Sequence, residues 1–298
     1  MQFFHETHFD FVGWRRKAFA ISGVLIIASI ISLVVKGGPK LSVDFKGGVV
    51  LELTFQQPVT TEVLRSALDR VGYGRSEIVS LGTPTQFLIR AEAEANKDVT
   101  SIIKSAISQS LPSNPYQIVR EEMVGPKVGK ELARKAIWST VIACGAMLIY
   151  IAWRFEFRFG VGAIASLVHD VITVVGLFSI LNREISPAVI AAVLTLVGYS
   201  VNDTIVVFDR IREDLRKYHR EPLETVINNA VNETLSRTVI TAFTVFIVVL
   251  VLYIMGGEVL RDFSFAMLYG VITGCYSSVF VAAPILVEWN LRSPMRRR

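Results

Sequence analysis

Cysteine is nearly absent from this sequence. The two that occur, Cys144 and Cys275, lie inside apolar runs. That excludes a disulfide scaffold and leaves no metal-binding spacing, so both read as small buried apolar residues. Charge is scarce too. Asp, Glu, Lys and Arg make up 19% of the 298 residues against 52% hydrophobic, and the mean hydropathy is +0.48. A soluble domain usually sits below zero on that scale, so the composition belongs to an integral membrane protein. The net charge of +5 would suit nucleic-acid binding. The basic residues gather beside apolar runs, however, where they set membrane orientation, so no nucleic-acid partner is expected. No phosphate-binding loop or hydrolytic constellation is present either, and no enzyme is expected.

What the chain does have is six apolar runs near the roughly 20 residues that a bilayer core requires. They cover 18–35, 136–153, 159–181, 187–208, 239–255 and 263–287. The first follows Trp14–Lys17 (WRRK), is too long for a signal-peptide core and lacks a small-x-small cleavage site, so it reads as an uncleaved anchor. Arg15, Arg16, Lys17, Arg154, Arg158, the arginines of 209–237, Arg292 and Arg296–Arg298 fall on one side. The opposite short loops hold Arg183 and Arg261. The positive-inside rule then puts both termini in the cytoplasm and residues 36–135 outside. The expected organisation is a cytoplasmic N-terminus and first span over 1–35, an external domain over 36–135, spans two to six over 136–288 and a basic cytoplasmic tail over 289–298. Ser186–Pro187 resembles a helix start, Gly256–Gly257 a tight turn, and Gly270 with Gly274 a close helix contact.

The external stretch 49–125 reads as β-α-β-β-α-β. Val49–Phe55 alternates as a strand, and 60–72 has apolar residues at helical spacing and ends on Gly72. The segments EIVSLG and QFLIRAE flank GTPT as a hairpin, 97–111 is helical again, and 116–124 is the last strand. This order predicts a small α+β ferredoxin-like domain. No stacking aromatics lie on its strands, which argues against RNA and for protein contact. Ahead of it, Asp44 is expected to cap a turn, with Gly47–Gly48 permitting unusual dihedrals. Within the cytoplasmic loop 209–238, residues 221–238 place apolar side chains on one helical face, so an amphipathic helix along the membrane interface is expected. Asp209 and Arg210 read as solvated. The sequons at Asn202 and Asn232 are chance matches.

The polar residues inside the runs need a reason. A lone charge at the bilayer centre costs roughly 2.5–3.5 kcal/mol on insertion scales. Thr195, Tyr199 and Asp203 are spaced by four on the fourth run, with Asn202 and Gly198 on the adjoining face. Thr234, Arg237, Thr238, Thr241 and Thr244 form a stripe on the fifth, and Asp170 follows His169 in the third. The two stripes can face each other. A carboxylate between desolvation and an arginine suits a proton or sodium relay. Arginine stays charged and serves only as partner or gate. The plain alternative is a static Asp203–Arg237 salt bridge. For Asp170 it is satisfaction by His169 or a threonine.

Four motifs carry a resemblance: VDFKGG (Val43–Gly48) after the first run, His169–Asp170 in the third, VGYSVNDTIVVFDRIRE (Val197–Glu213) in the fourth and LSRT (Leu235–Thr238) entering the fifth. In order and at fitting distances over nearly the whole chain, they resemble the bacterial SecF family of protein translocase subunits. The six-span plan is similar to half of an RND-superfamily transporter. The resemblance implies a multi-pass protein of the bacterial inner membrane that pairs with SecD and joins the SecYEG channel, with YidC as a further partner. It also implies handling of an unfolded translocating polypeptide in ATP-independent late steps, driven by an ion gradient of H⁺ or Na⁺ with no other cofactor. It puts the family's functional aspartate on Asp203 and its arginine on Arg237, with Asp170, Asn202 and Tyr199 completing the expected relay. Two competing readings are a non-conducting assembly factor and an RND-type small-molecule or lipid exporter subunit. The small external domain argues against the latter.

Overall fold

The structure, a computed structural model, describes residues 7–93 and 97–292. In chain order the elements begin with α1 (Arg15–Val35), α2 (Val43–Lys46), β1 (Gly48–Phe55), α3 (Thr61–Asp69), β2 (Glu77–Ser80), β3 (Gln86–Glu92), α4 (Val99–Ser110) and β4 (Tyr116–Val124). They continue with α5 (Pro126–Arg154), α6 (Phe157–Ile180), α7 (Pro187–Lys217), α8 (Leu223–Met255) and α9 (Gly257–Ser277). A π-helix (Ser278–Ala282) then leads into α10 (Ala283–Arg292). Six helical segments among the described residues are long and apolar enough to cross a bilayer. The chain is a multi-pass membrane protein. Two compact units form, one from described residues of 1–40, 140–184 and 188–298, the other from 41–139 with 185–187.

In the helical unit, Phe155, Phe159, Val201, Phe208, Ile227 and Leu286 centre one apolar cluster. Lipid is as apolar as these side chains, so close approach and polar contacts hold such helices together. The glycines show this. A Cβ on Gly270 would stand 2.5 Å from Leu196 Cδ2, and one on Gly274 3.3 Å from Ser200 Cβ. The glycine pair in the sixth run therefore seats α9 against α7. At Gly176 a Cβ would collide with Ser29, which lets α6 approach α1. Tyr276 Oη donates to Ala18 O at 2.8 Å. Arg183 pairs with Asp262 at 2.7 Å. Cys144 and Cys275 are free and half-buried, not fully buried as expected, because both helices keep partly open faces.

The expected interfacial helix does not exist as a separate element. α8 runs unbroken for 33 residues, about 50 Å at helical rise, well beyond the ~30 Å hydrocarbon core. No glycine or proline interrupts it between Leu223 and Met255. Its first apolar face, Leu223, Ile227, Ala230 and Val231, is buried with Val12, Ile211 and Leu286. Covered by protein, that face has no need of the membrane surface. The loop placed at 209–238 shrinks to residues 218–222, since α7 continues to Lys217. Asp209 and Arg210 are not simply solvated. Asp209 pairs with Arg154 at 3.2 Å, and Arg210 pairs with Glu213, Asp214 and Glu233. Asn232, a chance sequon, grips the N-terminal segment, donating to Phe9 O at 2.8 Å and accepting from Phe9 N at 2.9 Å. Residues 289–292 end α10 and are not yet a tail. Arg296–Arg298 lie outside the described residues.

The second unit carries a four-stranded antiparallel sheet in the order β2-β3-β1-β4. With α3 and α4 on one face, this is the ferredoxin-like arrangement. Leu51, Leu53, Leu64, Leu68, Ile89 and Ile103 fill its core. Thr60 caps α3 by accepting from Val63 N, and Asp98 caps α4 by accepting from Ser101 N at 3.1 Å. α5 starts ten residues before the expected second span, at Pro126. Its first turn is locked to the double-glycine turn. A Cβ on Gly47 (φ 88°) would lie 2.6 Å from Pro126 Cα, and one on Gly129 would lie 2.7 Å from Gly47 N. Asp44 does not cap that turn. Ser42 stands at the start of α2, and its Oγ donates to Asp44 Oδ2 at 3.0 Å.

Candidate functional site: two buried carboxylates

α7 presents Ser200, Asp203 and Thr204 on one face, since residues three and four apart align on a helix. All three are buried, Asp203 at 6% exposure. Asp203 Oδ1 accepts from Thr238 Oγ1 of α8 at 2.7 Å. Its Oδ2 is buried without a partner of hydrogen-bond geometry, although the Ser278 hydroxyl is close by. Buried polar atoms are nearly always satisfied, so this one calls for an explanation.

Asp170 on α6 is 2% exposed and fully satisfied. Its Oδ2 accepts from Ser200 Oγ at 2.5 Å and from Ser277 Oγ at 2.8 Å. Its Oδ1 lies 3.0 Å from His169 Nδ1. Ser166 Oγ donates in turn to Ser277 Oγ at 2.8 Å. On the other side of the same seam, Thr204 and Ser278 hydroxyls are 2.9 Å apart. Adjacent serines at the entry to the π-helix thus serve two carboxylate neighbourhoods, Ser277 that of Asp170 and Ser278 that of the Asp203–Thr204 pair. A π-turn widens the helix locally, and such turns collect at functional sites.

The other expected site residues fall differently. Arg237 is exposed, and no ion pair joins it to Asp203 among the described residues, so the static salt bridge is not what holds α7 to α8. One residue of helix rotation, about 100°, separates Arg237 from the buried Thr238. Asn202 is exposed and stands outside the cluster. Tyr199 is half-buried beside Asp203, its hydroxyl near Thr241 but without a partner of hydrogen-bond geometry. The threonine stripe splits. Thr238 reaches Asp203, while Thr241 and Thr244 bond back to carbonyls of their own helix. Sequence reasoning missed Ser166, Ser200, Ser277 and Ser278. The doublet Ser277–Ser278 inside an apolar run was the one signal available.

The model of the protein export membrane protein SecD/SecF C-terminal region matches residues 102–292, and that of the SecD/SecF GG motif matches 31–59. The chain belongs to the SecD/SecF family of protein-export membrane proteins. Within the family it is similar to the protein translocase subunit SecF of Rhodothermus marinus, at 43% identity over 100% of this chain and 98% of that one. It is likewise similar to the SecF of Endomicrobium trichonymphae, at 37% over 99% and 96%. Among solved structures it matches SecDF of Thermus thermophilus, a translocon-associated membrane protein, with TM-score 0.85 and 36% identity. That match covers 96% of this chain but 39% of the SecDF chain. SecDF in its super-membrane-facing form gives TM-score 0.74 at 35% identity, over 98% and 40%. Gly47, which meets the first turn of α5, and Gly48, which meets Ala91 and Val43, fall within the residues matched by the GG-motif model. The SecF family membership makes the chain a subunit of the protein-export machinery, with the six-helix plan of half an RND-type transporter.

Proposed function

We propose that this subunit converts a transmembrane gradient of H⁺ or Na⁺ into work on an exported polypeptide, with Asp203 as the ion-carrying group. The observation that carries the reading is the asymmetry between the two carboxylates. Two serine hydroxyls donate to Asp170 Oδ2 and the His169 ring lies 3.0 Å from its Oδ1, whereas Asp203 has one donor on Oδ1 and none of hydrogen-bond geometry on Oδ2. A proton can be added at Asp203 Oδ2, or a sodium ion can approach it, without breaking a hydrogen bond. Asp170, reached through Ser200 and Ser277, holds the neighbouring charge in place. Arg237, permanently charged and next in sequence to the threonine that binds Asp203, acts as the electrostatic gate. Tyr199 and the exposed Asn202 line the approach.

The working unit in this reading is a complex with SecD, which supplies the other half of the transporter plan. It associates with SecYEG and YidC and handles an unfolded translocating chain in ATP-independent late steps. Both termini are cytoplasmic and the sheet domain is outside, as the distribution of arginines requires. The chain is a transducer and not an enzyme, and it needs no cofactor beyond the coupling ion. Vesicles containing the purified complex test the reading. A pH or sodium dye should report flux under the matching gradient in native vesicles and none with Asp203→Asn. Equal flux in both, or none in either, removes the ion-carrying role and leaves an assembly factor.

A further inference from the structure

Between the α2 turn and the first turns of α5 lies a cavity of about 620 Å³. Its rim carries Lys46, Lys130 and Arg134, and its other end carries Ile137 and Trp138. On α5 the positions 130, 134, 137, 138 and 141 follow one another at helical spacing, so they form one stripe. The stripe changes character in a fixed order. Cations come first, then an aromatic ring at 56% exposure and Ile137 at 64%, then Val141 at 54%. The apolar run 136–153 begins at the same place.

Among the described residues neither Lys130 nor Arg134 takes part in an ion pair, in contrast with Lys135, bound to Glu131 at 2.9 Å. Among the described residues the one acid on the rim is Glu92, which is already held by Lys46 at 2.5 Å. Among the described residues, then, two of the cavity's positive charges have no ion-pair partner. The cavity is also preorganised. Gly129 packs on Gly47 N and Phe45 O so closely that a Cβ would stand 2.7 and 2.9 Å from them, which fixes α5 against the opposite wall.

We propose that this cradle binds the headgroup of an anionic phospholipid, in the leaflet that this end of α5 enters. The phosphate sits between Lys130 and Arg134, Trp138 lies at the ester level and an acyl chain follows Ile137 and Val141. Charge complementarity selects an anion. Arg134 and Trp138 are one turn apart, about 6 Å along the axis, which matches the depth between a bilayer's phosphates and its hydrocarbon edge. Tryptophan is enriched at that level. A soluble anion would use the cations but leave the aromatic and aliphatic end of the stripe wet. The inference rests on the chain being a membrane protein and is independent of the ion relay.

The test is native mass spectrometry of the purified full chain in detergent, titrated with phosphatidylglycerol or with phosphatidylcholine. One retained phosphatidylglycerol per chain is expected, with phosphatidylcholine bound on the order of tenfold more weakly or worse. K130Q/R134Q should remove the preference, K130R/R134K should keep it, and charge loss away from α5, made as R70Q/R75Q, should leave it unchanged. As a site-specific readout, Trp138 is kept as sole tryptophan by W14F/W153F/W289F. Its fluorescence should be quenched more by brominated phosphatidylglycerol than by brominated phosphatidylcholine, whatever the melting temperature of the charge variants. Equal binding of both lipids overturns the proposal. So does an R70Q/R75Q effect as large as that of K130Q/R134Q. Loss of the adduct when the chain is joined to its partner subunit also overturns it, because the cradle would then be a protein interface.

Discussion

At Asp203 a single threonine hydroxyl does what an arginine was expected to do. This changes what substitutions should reveal. Asp203→Asn keeps an oxygen for Thr238 Oγ1 at the Oδ1 position, and the new NH₂ replaces an oxygen that had no donor to lose. Melting in detergent should therefore shift by no more than the roughly 0.5–3 kcal/mol common to single substitutions, below the roughly 3–5 kcal/mol of a broken buried ion pair, while ion flux disappears. A large loss of stability would point back to a structural charge. Arg237→Met should also be mild in stability, because the guanidinium is exposed and unpaired with Asp203. Combining it with Asp203→Asn should not restore flux, and a conducting double variant would end the relay reading. Thr238→Val is the sharper structural probe. It strips the buried carboxylate of its hydrogen bond, at a cost of roughly 1–3 kcal/mol, and flux should fall with it. Chemical denaturation of Thr238→Val beside Asp203→Asn separates the two effects. If Thr238→Val is neutral in both assays, the hydrogen bond has no role.

Among the elements, the double-glycine turn and the caps of the sheet domain make separable contributions. Gly47→Ala combines a left-handed φ of 88° with a Cβ 2.6 Å from Pro126 Cα. The penalty should be on the order of 2–4 kcal/mol, read as a lower melting temperature of residues 40–130 expressed alone. That segment contains a complete sheet with both covering helices and should melt cooperatively. A molten product would count against its independence. Asp98 gives the same segment a pH signature. Its two hydrogen bonds from Ser101, at 3.1 Å from N and 2.6 Å from Oγ, hold its carboxyl below the ordinary value. A folded-state value below the unfolded one stabilises above the unfolded pKa of about 3.9 and loses that contribution as pH falls further. Asp98→Ala should thus melt earlier than native at neutral pH, and the gap should narrow in acid. A gap that stays constant with pH would mean that the carboxylate's charge is not involved.

As a whole molecule the chain leaves much of its apolar surface uncovered. None of the most apolar window of α5 is buried, and 11% of that of α8 is. Phe243, Val248, Val251 and Ile254 stand open on α8 near the exposed Thr241 and Thr244. Lipid accepts the apolar groups but not a face that mixes them with Asn202, Arg237 and threonines. A six-helix unit with such a face suits a larger assembly, and the matched SecDF chain is more than twice as long. Blue-native electrophoresis of gently solubilised membranes should place the subunit in a complex with a SecD-type partner. Cross-links from Asn202 or Thr241 should land on that partner. A monomer with full export activity would contradict this.

Length, hydropathy and the period of apolar residues are local properties. They settled the six spans, the β-α-β-β-α-β order, the last strand at 116–124 and the placement of a carboxylate in the fourth and third spans. Desolvation makes such features hard to hide, since charge inside an apolar run is costly wherever the run goes. Partnership is not local. Whether residues 221–238 lie on a membrane or extend α8 depended on Val12, Ile211 and Leu286 arriving from distant parts of the chain. Whether Arg237 or Thr238 meets Asp203 depended on one step of helix rotation. Whether Ser277 and Ser278 matter depended on a π-turn that no periodicity announces. The amino-acid sequence determined that a buried acid must be accommodated. Only the packing of α6, α7, α8 and the π-helix decided that Asp170 is saturated with donors while Asp203 keeps one oxygen free, because hydrogen bonds between helices are set by their contact geometry and not by residue type.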